Sequence, residues 1–228
     1  GYPIGQIFGL LDDGLFTDAD FVDGELIEGI PEHTFSPIRP GDIKYKDVNE
    51  DGVINDLDRT AIGGTWNPQI VYGFGLNLQY KNIDFGFFFQ GNAKTNRLIG
   101  GSNFIPGSGD GSMGNIMSNY QDHWTVDNPS QDVFWPRLSS SRNANNTQES
   151  TWWLQDMSML RLKNVEIGYN FSKKKLLPNF IQSARLFVTG SNLLQFSGFK
   201  LWDPELDTSN GLRYPIMKSA SFGLEINF

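Results

Sequence analysis

The chain has 228 residues and a formal net charge of -8, so a surface that binds nucleic acid is not expected. It has no cysteine, which excludes a disulfide framework, a thiolate metal site and a cysteine nucleophile. Only 39% of the residues are hydrophobic, yet 18 are Phe and 25 are Gly, which suits long alternating strands joined by polar loops. No apolar run approaches the length of a membrane-spanning helix.

The first part of the chain combines one candidate strand, Pro3–Leu11, with an acidic segment. Between Asp12 and Glu32 there are no Lys or Arg residues, and the carboxylates are Asp12, Asp13, Asp18, Asp20, Asp23, Glu25, Glu28 and Glu32. Such a segment is either solvated loop surface or a rim that attracts cations or a partner. The prolines between positions 31 and 40 exclude a central strand there.

A calcium-loop motif follows. An EF-hand-type loop needs oxygen ligands at positions 1, 3, 5, 9 and 12, a Gly at position 6 and a backbone carbonyl at position 7. The matching residues are Asp47, Asn49, Asp51, Gly52, Val53, Asn55 and Asp58. Asp in place of the longer Glu at position 12 weakens bidentate closure. We therefore expect calcium as a cofactor, and the alternative is a metal-free turn capped by its own Asx side chains.

The clearest strand pattern is a hairpin over Ile70–Asn92. Apolar side chains alternate with small or polar ones on both sides of the turn Lys81-Asn82, which predicts two strands with one apolar face. The apolar positions expected to face lipid are Tyr72, Phe74, Leu76, Leu78, Phe85, Phe87 and Phe89. Pattern alone leaves open whether this face packs on a second sheet, as in a soluble sandwich, or contacts lipid, as in an outer-membrane barrel.

Three further strands are predicted after a long polar connection. They cover Met159–Phe171, with a bulge expected near Lys163, then Ala184–Leu194 and a final strand ending at Phe228. In the final strand the lipid-facing positions are Phe222, Leu224, Ile226 and Phe228. The isolated histidines, His33 and His123, are expected in surface loops.

Connection lengths favour the barrel. If the last strand ends in the periplasm, the long segments 12–67, 94–150 and 196–215 are external, while Lys81-Asn82 and Ser172–Ser183 are internal turns. Long external loops and short periplasmic turns are typical of outer-membrane barrels. The sequence therefore predicts an all-β chain of about six antiparallel strands in a large transmembrane barrel.

Several ordered segments also resemble a known family. They are GYPIGQIFG at the start, GDIKYKDVNEDGVINDLDR at Gly41–Arg59, YGFGLNLQYKNIDFGFFFQG at Tyr72–Gly91, LRLKNVEIGYNF at Leu160–Phe171, GSNLLQFSGF at Gly190–Phe199, and WDPE with the later YP. Together they are similar to the C-terminal part of SusC/RagA-like TonB-dependent outer-membrane transporters of Bacteroidota. Glu50 departs from the Gly that this family usually has within its DxNGDG run.

The resemblance implies a 22-stranded barrel in the cell outer membrane, with a multi-pass topology and an N-terminal plug energised through a TonB box. Six strands are fewer than the eight of the smallest membrane barrel, so the plug, the TonB box and the other strands are expected outside residues 1–228. The expected partners are that remainder of the transporter, TonB, membrane lipid and a SusD-like surface lipoprotein. Nucleic acid is not an expected partner.

The expected function is import of a bulky nutrient, which is an oligosaccharide, a glycan or a peptide. The sequence contains no constellation of catalytic residues, and we do not expect an enzyme. Four tryptophans are candidate contacts for substrate or partner, although a loop core or an aromatic belt explains them equally well: Trp66, Trp124, Trp135 and Trp202. The alternatives are a structural barrel subunit without transport and a soluble calcium-dependent carbohydrate-binding β-sandwich.

Overall fold

The computed structural model describes residues 1–101, 104–106, 116–171, 178 and 180–228, and these residues form strands and short 3-10 helices. The strands are β1 (Gln6–Gly9), β2 (Asp12–Leu15), β3 (Phe21–Val22), β4 (Glu25–Leu26), β5 (Glu32–His33), β6 (Ile43–Tyr45), β7 (Val53–Ile54), β8 (Thr60–Thr65), β9 (Ile70–Tyr80), β10 (Ile83–Ala93), β11 (Asn96–Leu98), β12 (Leu154–Asp156), β13 (Met159–Phe171), β14 (Ser183–Ser197) and β15 (Ser219–Asn227). The 3-10 helices are Asp18–Asp20, Asp56–Asp58, Thr151–Trp153 and Pro204–Leu206. Among the described residues no helix has the length and hydropathy needed to cross a membrane.

The chain divides into two compact units. The first, called the loop unit here, comprises Gly1–Asn67, Asn96–Gln155 and Thr208–Leu212. The second, called the sheet unit, comprises Pro68–Thr95, Asp156–Asp207 and Arg213–Phe228.

The sheet unit contains one five-stranded antiparallel sheet in the order β15-β14-β13-β10-β9. Strands that are adjacent in this sheet are also consecutive among its strands along the chain, which is an up-and-down order. β9 and β10 pair from Ile70↔Ala93 to Tyr80↔Ile83, and the turn between them places Lys81 at a φ of 54°. The hairpin and the three later strands predicted from alternation are therefore confirmed.

A bulge interrupts β13 at the predicted place. On β10, Phe88 pairs with Asn164 and Phe89 with Leu162, so Lys163 has no partner in that ladder. Successive side chains of a strand alternate between the two faces, so one extra residue moves every residue before it to the opposite face. Leu160 and Leu162 consequently lie on the same face as Val165 and Ile167.

The up-and-down order also sorts the connections by length. The β9–β10 turn leaves one end of the sheet, and the longer β10–β13 and β14–β15 connections leave the opposite end. The lysines 173–175 of the predicted turn 172–183 lie outside the described residues, as do 102–103 and 107–115 of the predicted loop 94–150.

The loop unit is a folded body rather than a set of irregular loops. Its strands form two-stranded sheets, in the pairs β1-β8, β2-β6, β3-β4, β5-β7 and β11-β12. Its core is aromatic and aliphatic, with Trp135 and Trp153 packed at a centroid distance of 5.7 Å and almost fully buried. The candidate strand Pro3–Leu11 contributes β1, which pairs with β8, so the long sheet holds five strands rather than about six.

Candidate functional site

One face of the long sheet is apolar across all five strands. The register of the strands places the following residues on this face: Tyr72, Phe74, Leu76 and Leu78 of β9, Phe85, Phe87 and Phe89 of β10, Val165 and Ile167 of β13, Leu186 and Val188 of β14, and Phe222, Leu224 and Ile226 of β15. Many of them are exposed, for example Phe74 at 51% and Phe222 at 71%. Phe228, which follows β15, is 73% exposed.

No sheet formed by the described residues covers this face, as the soluble-sandwich alternative would require. A sandwich buries the inner face of each sheet against a second sheet. Here Leu76, Leu78 and Leu224 remain 46%, 54% and 59% exposed. A continuous apolar surface of this extent marks contact with another protein or with a membrane.

The opposite face of the sheet carries an ion-pair cluster, called the Arg185 cluster here. Arg185 of β14 pairs with Asp84 of β10, and its Nη2 lies 2.5 Å from Glu166 Oε1 of β13. The amide of Asn170 donates a hydrogen bond of 2.6 Å to Asp84 Oδ1. The strand register places all these side chains on the polar face and brings them together.

Glycines make room for the Arg185 cluster. A Cβ at Gly168 would lie 2.7 Å from Arg185 Nη2 and 2.8 Å from Asp84 Oδ1, and a Cβ at Gly223 would collide with the ring of Phe187. The guanidinium of Arg185 lies 4.8 Å from the centroid of that ring. Gly168 and Gly223 therefore allow the side chains of Arg185 and Phe187 to pack directly against the backbone of the neighbouring strand.

A second ion-pair network, called the Arg161 clamp here, holds the segment after β14. Arg161 of β13 is 2% exposed, and its guanidinium lies 2.5 Å from Asp203 Oδ1 and 2.6 Å from Glu205 Oε2. Lys163, the bulge residue, contacts Glu205 at 2.8 Å. Arg161 shares the polar face with Gln90 and Gln195, so the WDPE segment folds against that face of the sheet.

A buried carboxylate organises the loop unit. Asp42 is fully buried and accepts two hydrogen bonds of 3.0 Å from Arg137. The side-chain amides of Asn143 and Asn146 donate to it at 2.9 Å each, and so does the backbone N–H of Arg39. A buried charge needs such pairing to offset its desolvation, so this carboxylate ties two segments about a hundred residues apart.

His33 belongs to the same core, and its predicted place in a surface loop is wrong. The side chain is 7% exposed and stacks on Tyr45 at a centroid distance of 5.6 Å. Its Nδ1 lies 2.8 Å from Asn145 Oδ1. Burial lowers the pKa of His33 below its usual value, so the imidazole is neutral at pH 7. His123, by contrast, makes its hydrogen bond at the surface.

The predicted calcium loop folds around its own Asx side chains. Asp47 accepts a hydrogen bond of 2.7 Å from the N–H of Gly52, and Asp51 accepts one of 2.9 Å from the N–H of Val53. Asp58 is buried and accepts from the N–H groups of Val48 and Asn55 at 2.9 Å each, which closes the loop end to end. Across the described ranges, no three His, Cys, Asp or Glu side chains gather in a geometry that could hold a metal ion.

The four candidate contact tryptophans fall into two groups. Trp124 and Trp135 are 5% and 0% exposed, so the expectation that they contact substrate is wrong and the loop-core alternative describes them. Burial removes their ring faces from any ligand. Trp66 is 57% exposed beside Gly5, and Trp202 is half-buried with its ring 4.9 Å from that of Phe199.

Comparisons with known proteins agree with this geometry. No family model matches the chain. The TonB-dependent receptor P26 of Formosa agariphila is 32% identical over 203 residues, which are 82% of this chain and 20% of that protein. The TonB-dependent receptor P3 of the same organism is 28% identical over 242 residues, covering 100% of this chain and 22% of the relative. The chain thus spans about a fifth of the length of these curated relatives.

Solved structures show the same fold. The RagAB peptide transporter structure matches with a TM-score of 0.70 and 22% identity, covering 98% of this chain and 22% of the other. The RagAB peptide importer in its closed-closed state matches with a TM-score of 0.67 and 22% identity, covering 98% of this chain and 23% of the other. The chain therefore belongs to the TonB-dependent receptors, and its long sheet is a portion of their β-barrel.

Proposed function

We propose that the chain forms part of the wall and mouth of an outer-membrane importer that takes up a bulky nutrient in a TonB-dependent manner. The single observation that carries the proposal is the two-faced sheet, apolar across five strands on one side and polar on the other. A barrel of this kind turns its apolar face to lipid and its polar face to the lumen. The chain is then a multi-pass component of the outer membrane.

The polar face is the proposed lumen wall. Small and polar side chains, including Gly73, Gly75, Asn77 and Gln90, leave space there for the plug that the remainder of the transporter supplies. The Arg185 cluster offers a fixed array of charges on this wall. Carboxylates whose oxygen atoms are only partly used by Arg185 can accept hydrogen bonds from a docked plug, which orients it without a deep apolar contact.

The long connections form the proposed external mouth. Segments 12–67, 94–150 and 196–215 are assigned to the outside because they leave the sheet at the end opposite the short β9–β10 turn. We propose that a SusD-like lipoprotein closes this mouth over an oligosaccharide, a glycan or a peptide. Support comes from the fold shared with RagAB, whose structures are described as those of a peptide importer.

We also propose that the loop Asp47–Asp58 binds calcium. The ligands would be the side-chain oxygens of Asp47, Asn49, Asp51, Asn55 and Asp58 and the carbonyl of Val53, and the ion would supply charge neutralisation that stiffens the loop. The observed Asx turns already hold the loop closed, and Asp47 and Asp51 remain at its exposed side. The modest number of carboxylates and the short Asp58 predict weak affinity.

Uptake by cells expressing the full-length gene tests the import proposal. The wild type, a gene deletion and a TonB-box deletion are compared for removal of oligosaccharides and peptides from the medium, measured by mass spectrometry. We expect a defined class of solutes to disappear only with the wild type. Equal removal by all three strains, or a gene product without a plug and a TonB box, would instead support the structural barrel subunit.

A further inference from the structure

The loop unit contains a cavity that none of the sites described above uses. Residues of segment 21–38 line a partly open cavity of about 670 Å³, a volume within the usual range of ligand sites. Phe21, Leu26 and Ile30 contribute apolar wall. The cavity is therefore large enough for one or two amino-acid side chains and partly apolar.

The carboxylates that line the cavity have no cationic partner in the part of the chain that the structure describes. Glu25, Glu28 and Glu32 lie in the wall, and no Lys or Arg is among the described lining residues. None of the three forms an ion pair with a described residue, whereas Asp20 nearby is neutralised by Lys44 at 3.1 Å. The cavity thus presents uncompensated negative charge to whatever enters it.

The remaining polar side chain of the wall is His33, whose Nε2 is a buried acceptor. Asn145 Nδ2 donates to the carbonyl of Ile43 at 2.7 Å, which leaves its Oδ1 facing His33 Nδ1 at 2.8 Å. Nδ1 must then carry the proton, and Nε2 is an acceptor. Nε2 is buried and has no hydrogen-bond partner among the described residues. An unsatisfied buried acceptor favours a ligand that brings a donor.

We propose that this cavity binds the basic group of an oligopeptide, a lysine ammonium or an arginine guanidinium, together with an adjoining apolar side chain. The described polar side chains of the wall are three carboxylates and an imidazole whose free nitrogen, Nε2, is an acceptor, and a cation that carries only donors complements them. Stacking of a sugar is disfavoured since no Trp or Tyr is among the described residues that line the cavity, and acidic glycans are repelled by its carboxylates. The inference rests on the proposed import function, for which it names a class of cargo.

Calorimetric titration of the purified full-length transporter tests the proposal. The probes are the blocked tripeptide Leu-Lys-Leu and the same peptide with its lysine acetylated, which removes the charge. We expect the charged peptide to bind more tightly and its affinity to fall as NaCl is raised. The triple variant Glu25→Gln/Glu28→Gln/Glu32→Gln should bind the charged peptide about tenfold more weakly, or about 1.4 kcal/mol, and the acetylated peptide as before.

A matched variant separates the cavity from the general negative field of the protein. Asp122→Asn/Asp127→Asn/Asp132→Asn makes the same change in net charge at exposed positions outside the cavity and should leave both affinities unchanged. Equal binding of the two peptides, or equal weakening by the two triple variants, would overturn the proposal. Because titration needs neither TonB nor energy, a failure of import in cells leaves the binding result interpretable.

Discussion

Replacing Arg161 by Met should release the segment that follows β14. Arg161 is 2% exposed, and its partners Asp203 and Glu205 are 15% and 20% exposed. Removing one member of a buried ion pair costs about 3–5 kcal/mol because the other charge stays buried without compensation. Glu205 keeps Lys163 and both carboxylates keep some water, so we take the low end, about 3 kcal/mol.

Hydrogen exchange of the full-length protein measures this release. The N–H of Leu206 donates to the carbonyl of Asp203 at 3.0 Å, and the N–H of Glu205 donates to the Asp203 side chain at 3.0 Å. Local opening made easier by about 3 kcal/mol speeds exchange of these amides about a hundredfold.

Arg213→Met is the matched control for Arg161→Met. The Arg213–Asp207 pair is 3.8 Å long, its side chains are 59% and 67% exposed, and Arg213 Nη1 also donates a hydrogen bond of 3.3 Å to the carbonyl of Leu206. Loss of these contacts should change exchange by less than fivefold, or about 1 kcal/mol. Unchanged exchange in Arg161→Met, or equal acceleration by both variants, would refute the assignment of the Arg161 clamp.

Three further predictions follow from the two faces, the calcium loop and His33. Leu76→Arg should lower the amount of assembled barrel in outer membranes, since Arg on the lipid face of a strand costs about 2–4 kcal/mol at the bilayer midplane. Asn77→Arg, on the opposite face, should leave that amount unchanged, and equal loss in both variants would contradict the face assignment. Asp51→Ala should abolish the bound calcium that elemental analysis measures in the full-length protein. Asp56→Ala changes a carboxylate outside the ligand set and should retain the calcium. Equal calcium in Asp51→Ala and wild type would contradict the calcium hypothesis. The pKa of His33 is lower in the folded loop unit than in the unfolded chain, so on acidification the unfolded chain is protonated first. The free energy of unfolding of the loop unit should therefore decline as the pH falls below about 6.5. Exchange of the Tyr45 amide should therefore rise between pH 7.5 and 5.5 in wild type after correction for intrinsic rates, and much less in His33→Gln; the same rise in both would contradict the role of His33.

The strands and their faces could be predicted because each depends on residues close in sequence. A period of two fixes which side chains share a face, and the out-of-phase pair Leu160 and Leu162 locates the bulge at Lys163. The family was predicted from the resemblance of several ordered segments, and the similarity to TonB-dependent receptors of Formosa agariphila supports this prediction.

The loop unit could not be predicted because its stability comes from contacts between distant segments. Asp42 and Arg137 are 95 positions apart, and nothing in either local sequence specifies the pairing. His33 was expected in a surface loop for the same reason, since a residue in a polar segment gives no sign of the core that other segments build around it. Long polar connections of this kind fold when a few buried side chains pack together, here aromatic rings and the carboxylate of Asp42 with its partners.

A single-cysteine scan along β9 and β10 can show which face of the long sheet contacts lipid. Residues 1–228 contain no cysteine. Once any cysteine in the remainder is replaced, a spin label can be placed at each position from Ile70 to Asn92 of the full-length transporter in lipid vesicles. Membrane-dissolved oxygen should relax labels at Tyr72, Phe74 and Leu76, and a water-soluble nickel complex should relax those at Gly73, Gly75 and Asn77. We expect this alternation in both strands of the hairpin, with labels at Lys81 and Asn82 accessible to nickel. Accessibility without a period of two, or oxygen contact in the opposite phase, would contradict a lipid-facing barrel wall.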